Sequence, residues 1–579
     1  MPARPKVASM NAAEPKRPQS HKWMVLSNTT LGMLAAAING SILLISLPAV
    51  FRGIGLKALD PGNINYLLWA IIGYMIATAV LVVAFGRLGD QFGRAKMYNL
   101  GFAIFTAASI ALSLLPGQGD FAAIYLISVR IIQGIGGALI MANSTALLTD
   151  AFPENERGFA LGINVVAAIG GQFVGLLIGG LLADTDWRLV FWINVPFGLV
   201  GTVWAYLKLH DTPNRSTHTI DWLGNISFGL GLVLILTAIT YGLQPYGDRV
   251  MAWTSPKVLT LFAIGILSLI AFVVIEQRVA KPMLDLKLFR IPGFAYGNIA
   301  NLASGIARGG LQFMLIVWLQ GIWLPLHGYS FEETPLWSAI FMLPLTVGFL
   351  IAGPVSGYFS DRVGGVPFAV GGMVAGAASF IALMALPADF SYTAFAALLF
   401  LNGLGSGLFV APNATQIMNS VPARERGQAS GMRATTTNAG QVLSIGLFFS
   451  LMILGLAASL PQSMEAGLLA QHVPQAVAHQ IANMPPVASL FAAFLGYNPM
   501  GELIPADVLH ALPQQSIDTL TGHAFFPELM AGPFKHGLVF AFTFSAVLYL
   551  VAALASWCGG RTLGAAMPEL ATVEAAGRR

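Results

Sequence analysis

Few residues in this sequence can do chemistry, and four of them stand together. The stretch GRLGDQFGRAK, residues 86–96, holds Arg87, Asp90, Arg94 and Lys96 among three glycines, in a chain that is only 10% charged. The aspartate can accept hydrogen bonds at a neighbouring helix start, where the helix dipole favours an anion. The arginines can pair with carboxylates across an interface, and the glycines let two helix ends approach closely. The pattern predicts a contact between helix ends made by charged side chains.

The elements that position this loop are apolar helices. The chain is 56% hydrophobic, with a mean hydropathy of +0.71, whereas a soluble chain has about 25% charged residues. Fourteen apolar runs reach the length of about 18 residues that predicts a membrane span. We therefore expect an all-α polytopic membrane protein. Most Lys and Arg fall on the cytoplasmic side if both termini lie there, so the net charge of +4 indicates orientation. A nucleic-acid partner is not expected.

The chain also repeats itself. GRLGDQFG (86–93) aligns with GYFSDRVG (357–364), and residues 133–162 align with 402–431, at a spacing of about 270 residues. Duplicated halves with a substrate path between them are typical of transporters. The predicted organisation is a cytoplasmic tail (1–24), a six-helix bundle (25–208), a two-helix insert (222–276), a second six-helix bundle (294–557) and a second cytoplasmic tail (558–579). Residues 458–535 form a long external loop, either a small cap or a disordered connection.

Several quoted motifs together carry a family resemblance. GRLGDQFGRAK, LISVRIIQGIGGA (126–138), AIGGQFVGLLIGG (168–180) and DWRLVFWINVPFG (186–198) resemble the major facilitator superfamily, and within it the fourteen-helix drug:proton antiporter branch. The resemblance implies a conformational latch made of Gly86, Arg87, Asp90, Gly93 and Arg94, with Asp361 in the weaker second copy. It assigns Arg130 to proton coupling or substrate response. A structural arginine satisfied by backbone carbonyls is the alternative.

A glycine stripe predicts close helix packing. Its members, spaced along one helix face, are Gly171, Gly175, Gly179 and Gly180. The family usually has a proline after the middle glycine, where this chain has Leu176. The same residues fit the exporter pattern of the family or ordinary glycine packing.

This chain departs from the family pattern in the charged residues of its spans. The branch usually carries an aspartate in its first helix where this chain has Asn39, and no acidic residue or histidine lies deep in an apolar run. The arginines inside the runs are Arg130, Arg308 and Arg433. We expect a net positive cavity lined by Asn39, Arg130, Gln133, Asn143, Gln172, Arg308, Gln312, Arg433, Asn438 and Gln441.

This cavity predicts a preference for anionic or neutral amphiphiles over cationic dyes. Proton coupling, if present, must run through Asp90, the Asp150 end of the fourth span, or protonation of the substrate. Four aromatic residues could stack on such a substrate or serve in packing: Trp69, Tyr74, Trp318 and Trp323.

The expected function is secondary active, proton-coupled export of amphipathic drugs or related small molecules across the cell membrane by alternating access, carried out by a monomer. Two alternatives stay open: an exporter or flippase of lipid-like or fatty-acid-like anionic amphiphiles, and a receptor-like relative that does not transport. An enzyme is not expected, because the sequence has no HExxH, no GxSxG, no paired deep carboxylates and a single cysteine, Cys558. No cofactor and no metal are expected.

Overall fold

The computed structural model describes residues 19–56, 63–209, 221–247, 249–279, 282, 284–422, 425–496 and 498–577. The end segments 1–18 and 578–579 of the two predicted tails lie outside these residues. Within the described residues, 14 helical segments are long and apolar enough to span a membrane. The chain is an all-α polytopic membrane protein, as the sequence predicted.

The first eight spans cover the first six-helix bundle and the insert. They are α1 (Gln19–Gly53), α2 (Asn63–Phe92), α3 (Arg94–Ser113), α4 (Gly119–Ala151), α5 (Glu154–Thr185), α6 (Leu189–Trp192) with α7 (Asn194–Lys208), α8 (Trp222–Gly242) and α9 (Pro256–Arg278).

A 3₁₀ turn (Leu286–Arg290) leads into the second bundle and its cap. The helices are α10 (Pro292–Trp318), continued by a π-helical turn (Leu319–Trp323) and α11 (Leu324–Leu326), α12 (Thr334–Phe341), α13 (Leu343–Val363), α14 (Val366–Ala385), α15 (Tyr392–Asn419), α16 (Arg426–Ala470), α17 (Gln475–Ala482), α18 (Pro486–Phe494), α19 (Met500–Leu503), α20 (Ala506–Ala511), α21 (Gln514–Thr521) and α22 (Phe525–Gly577).

The repeated glycines make the same turn in both halves. Gly93, between α2 and α3, has φ 112°, and Gly364, between α13 and α14, has φ 90°. Side chains disfavour these backbone conformations, whereas glycine adopts them freely. The turn conformation explains why the duplicated loop keeps a glycine at this position.

The insert contacts both halves. On α8, a Cβ added to Gly229 would lie 2.8 Å from Val80 of α2, and Ile239 packs against Gly446 of α16. Helices α8 and α9 pack on each other through Gly231 and Gly265. The insert therefore bridges one helix of each six-helix bundle.

The glycine stripe of α5 packs largely on α1. A Cβ on Gly171 would lie 2.9 Å from the carbonyl oxygen of Leu34, and one on Gly175 would lie 2.6 Å from that of Ile38. Gly179 approaches Ile42 in the same way. Such backbone contact requires residues without side chains. Gly180 differs, since it faces the other half.

The long segment near the second tail is helical through most of its length. Helix α16 continues to Ala470 and α22 begins at Phe525, so the connection between them is shorter than residues 458–535. The five short helices α17–α21 lie between them. We call these five helices the cap. The end of the bundle that carries them is the cap end, and the opposite end, with the Gly93 turn, is the loop end.

One cap helix is buried in the bundle. Every residue of α18 is buried, and Phe491 and Phe494 lie 5.2 Å and 5.4 Å, ring centre to ring centre, from Phe449 of α16 and Phe313 of α10. A Cβ on Gly321, in the π-helical turn, would lie 2.6 Å from the Ala493 carbonyl oxygen. The sequence PVASLFAAF is apolar on all sides, which matches a helix enclosed by others.

Candidate functional site

Arg94 is the centre of an ion-pair cluster at the loop end. Its Nε donates to Asp90 Oδ1 over 2.8 Å, and one of its terminal nitrogens donates to Asp150 Oδ1 over 2.6 Å. The same nitrogen lies 3.2 Å from the Ala146 carbonyl oxygen. The cluster thus ties the end of α2, the start of α3 and the end of α4 together.

This cluster differs from the expected latch in its partners. We expected Arg94 to pair across the interface between halves, but both of its carboxylates belong to the first half, because α4 ends beside the α2–α3 turn. Asp90, expected to accept from backbone N–H groups, accepts from a guanidinium instead. In this conformation the Arg94 cluster therefore holds helix ends of the first bundle together.

Arg87 contacts a residue outside the first half. It donates to the carbonyl oxygen of Pro282 over 2.7 Å, in the segment that leads from α9 into the second bundle. Gly86 has open space around it. The side chain of Asp361 lies outside the described residues.

A second cluster fills the interior of the first half. Arg130 is 1% exposed, and one of its terminal nitrogens donates to Asn39 Oδ1 over 3.2 Å and to Gln133 Oε1 over 3.0 Å. Its guanidinium carbon lies 4.6 Å from the centre of the Tyr74 ring. Gln133 donates onward to Ser109 Oγ over 2.9 Å.

The structure therefore brings Asn39, Arg130 and Gln133 together but encloses them. The partners of Arg130 are two side-chain amides and, at 3.4 Å, the Asn39 carbonyl oxygen, so side-chain amides bind it more closely than the backbone carbonyls of the structural alternative. Sequence reasoning missed Ser109 and Asn194, whose amide lies 3.4 Å from Asn39 Oδ1. The repeat could have indicated the serine, because an equivalent serine and amide recur in the second half.

Asn143 lies apart from that cluster. It is fully buried and donates to the Leu139 and Phe85 carbonyl oxygens over 2.9 Å and 3.4 Å. A Cβ on Gly89 would collide with its amide oxygen. Asn143 thus packs against the last turns of α2, near the Gly93 turn.

The remaining polar residues predicted for the cavity share a different environment. Each is only partly buried within a span, on α5, α10 or α16, and none of their side chains makes a hydrogen bond or ion pair with another described residue. They are Gln172, Arg308, Gln312, Arg433, Asn438 and Gln441. Accessible polar side chains at this depth mark a cleft inside the bundle, since those facing lipid are costly.

The two halves contact each other at the cap end of this cleft. A Cβ on Gly180 would lie 2.8 Å from the Pro335 carbonyl oxygen of α12. Gln320, in the π-helical turn, donates to the Ile45 carbonyl oxygen of α1 over 3.3 Å. These contacts join α1 and α5 to the second half.

The aromatic candidates divide between packing and partial exposure. Trp318 is 2% exposed, and its ring centre is 4.8 Å from that of Phe390. Trp323 stacks on the same ring at 5.0 Å and donates its indole N–H to the Phe390 carbonyl oxygen. Both tryptophans are thus packing residues in this conformation. Tyr74 lies against Arg130, and Trp69 is half-buried.

The profile of the Major Facilitator Superfamily matches residues 29–445. The chain belongs to this superfamily. Its fourteen spans fit the fourteen-helix drug:proton antiporter branch, and the family makes it a membrane transporter.

Curated relatives cover most of the chain. The tetracenomycin C resistance and export protein of Streptomyces glaucescens is 28% identical over 92% of this chain and 90% of its own. The riboflavin transporter RibZ of Clostridioides difficile (strain 630) is 27% identical over 74% of this chain and 88% of its own. The multidrug transporter protein MdtP of Bacillus subtilis (strain 168) is 26% identical over 84% of each chain.

A solved structure shares the fold. A bacterial homologue of the human lysosomal transporter Spinster, crystallised in an inward-facing and unoccupied conformation, matches with a TM-score of 0.54. It covers 94% of this chain and 99% of that one at 15% identity, a similarity that shows the fold alone. The family match and the fourteen apolar helices support a location in the plasma membrane for this multi-pass chain.

Proposed function

We propose that this transporter is a secondary active exporter of amphipathic small molecules that works by alternating access and is coupled to protons. The observation that carries the proposal is the set of partly exposed polar side chains within the spans, which we infer to line a cleft. Polar side chains on α5, α10 and α16 are accessible and unpaired within the spans, while the halves meet at the cap end. A monomer with both termini in the cytoplasm would open this cleft alternately to each side. The relatives named for drug resistance and export support the direction.

Proton coupling has few candidate groups. The described residues place no carboxylate beside Arg130 or Arg308, and the ionisable neighbour of each that we identify is a tyrosine. The carboxylates closest to moving helix ends are Asp90 and Asp150, which share Arg94. We propose that one of them takes up a proton when this shared pairing opens, or that the substrate itself carries the proton.

Flux through the purified protein tests the transport proposal. Proteoliposomes would be given a pH gradient and three fluorescent probes: neutral dansylamide, anionic dansylate (5-dimethylaminonaphthalene-1-sulfonate) and cationic ethidium. We expect protein-dependent, gradient-driven movement of dansylamide above that of protein-free liposomes. Absence of protein-dependent flux for all three probes would contradict the proposal and favour a receptor-like relative.

The Asp90→Asn and Asp150→Asn variants then test the coupling route. If either carboxylate carries the proton, its variant should keep dansylamide exchange without a gradient but lose the acceleration by the gradient. Full acceleration in both variants would exclude the cluster as proton carrier. Lys208→Gln, at the end of α7, serves as a charge-removal control at the same end of the bundle.

A further inference from the structure

We propose that Arg308 binds the anionic group of the substrate, and that the cleft therefore selects amphipathic anions. This inference rests on the proposed function and names the substrate class of the same cleft. The ligand it predicts carries one carboxylate, sulfonate or phosphate on an apolar or aromatic body.

The position of Arg308 is the first support. Helix α10 packs against α15, α16 and α22, and most of its residues are buried. Arg308 is nevertheless partly exposed. Because α10 is an inner helix, the space that reaches this guanidinium is the interior cleft and not the lipid. A cation on an inner helix facing a cavity marks a substrate or ion path.

The second support is that Arg308 has no hydrogen-bond or ion-pair partner among the described residues. Its electrostatic neighbour is the phenol of Tyr549. That phenol is already bonded to Ser406 Oγ over 2.9 Å. A guanidinium carries five N–H donors in a planar fork that fits two oxygens of one anion. Those donors are free for a ligand.

The duplication shows what the second half lacks. Gly171 contacts Leu34 as Gly440 contacts Leu302, which places Arg308 within one residue of the position equivalent to Asn39. The position equivalent to Arg130 is Leu399, which is fully buried. The second half therefore has the cation on its first helix and an apolar side chain on its fourth, so no internal amide cluster encloses the guanidinium.

The surroundings suit the rest of an amphipathic anion. Phe349 of α13 presents its ring 5.8 Å from the guanidinium carbon, and an aromatic body can pack beside it. Gln312 lies one turn along α10 on the same face, and its amide nitrogen is buried without a hydrogen-bond partner among the described residues. It offers a second donor near the first.

Paired probes test the inference. Dansylate and dansylamide share one skeleton and differ in a sulfonate against a neutral sulfonamide. Equilibrium binding of both would be measured on the purified full chain, for wild type, Arg308→Gln, Arg308→Lys and the control Arg290→Gln. The control removes the same charge from an exposed residue of the 3₁₀ turn before α10.

We expect Arg308→Gln to weaken dansylate binding by roughly 10- to 100-fold, as loss of a charge-assisted hydrogen bond does, and to leave dansylamide binding within about twofold. Arg308→Lys should restore part of the dansylate affinity, and Arg290→Gln should change neither. Unchanged dansylate binding in Arg308→Gln would overturn the proposal, as would equal losses of both probes. If wild-type dansylamide flux is present while this result is negative, the transport proposal stands and only the anion assignment fails.

Discussion

The two halves of this transporter carry the same small polar pair but opposite arrangements of arginine. In the first half, Gln133 donates to Ser109 Oγ over 2.9 Å; in the second, Asn402 donates to Ser379 Oγ over 2.8 Å. The corresponding residues are 269 and 270 positions apart. Duplication has thus preserved an amide–hydroxyl bond between the third and fourth spans of each bundle.

The buried arginine of the first half and Arg308 of the second half differ. Arg130 lies on the fourth span, is 1% exposed and donates to two amides. Arg308 lies on the first span of its half, is partly exposed and has no hydrogen-bond partner among the described residues. A buried cation with fixed hydrogen-bond partners stabilises one packing of its helices. An accessible cation without such partners can bind a ligand instead. The comparison teaches that one repeat can hold its cation as structure while the other leaves it open to the cleft.

The largest effect expected from this comparison is on stability. Arg130→Leu would leave Gln133 Oε1 without its donor and would remove the nearer of the two donors to Asn39 Oδ1, at a cost of about 3 kcal/mol in unfolding free energy. Arg308→Leu removes a cation that has no hydrogen bond or ion pair with any described residue, and it should leave stability unchanged or raise it. Thermal unfolding of both variants in detergent measures the difference. Equal shifts in the two variants would remove the distinction between the halves.

A second effect concerns helix packing in the two halves. Gly175→Ala places a Cβ 2.6 Å from the Ile38 carbonyl oxygen, whereas Gly440→Ala places one 3.1 Å from that of Leu302. Overpacking of this kind costs about 1–3 kcal/mol, so we expect Gly175→Ala near the upper end and Gly440→Ala near the lower. Apparent melting temperatures decide it. A larger loss for Gly440→Ala would show that the second half is the tighter one.

The smallest effect should be the same in both halves. Gly93→Ala and Gly364→Ala force a Cβ into a positive-φ conformation and should each cost about 1–2 kcal/mol. Gly86→Ala, in a helical part of the same motif near the end of α2 and in open space, is the matched control and should be neutral or stabilising by up to about 1 kcal/mol. Unequal losses at the two turns would mean that the repeated glycines no longer serve one structural purpose.

The sequence predicted the elements better than the contacts between them. Apolar length sufficed for the fourteen spans, and the echo of Gly93 in Gly364 anticipated two equivalent turns. The partner of Arg94 could not be read from the loop, because Asp150 arrives on a different helix 56 residues further along the chain. Whether residues 471–524 formed a cap was equally open, since only tertiary contacts show that α18 is enclosed.

The sequence predicted which residue types belong to the site, but not that they separate into an enclosed group and an accessible group. Asn39, Arg130 and Arg308 were all assigned to one positive cavity, because each is polar within an apolar run. Burial depends on how the helices of a half pack, and the sequence does not specify that packing. The repeat did contain the needed signal, since Leu399 stands where Arg130 would have its counterpart.

The central claim, that one arginine position is enclosed and the other open, is tested most directly by thiol labelling. Cys558 is the only cysteine, so a Cys558→Ser background allows Arg308→Cys and Ser109→Cys to be compared one at a time. Ser109→Cys is nearly isosteric and lies in the enclosed cluster. With a water-soluble methanethiosulfonate reagent on the folded protein, we predict labelling of Arg308→Cys at least about tenfold faster than of Ser109→Cys, because only accessible thiols react. Equal rates, or a refractory Arg308→Cys, would contradict the account.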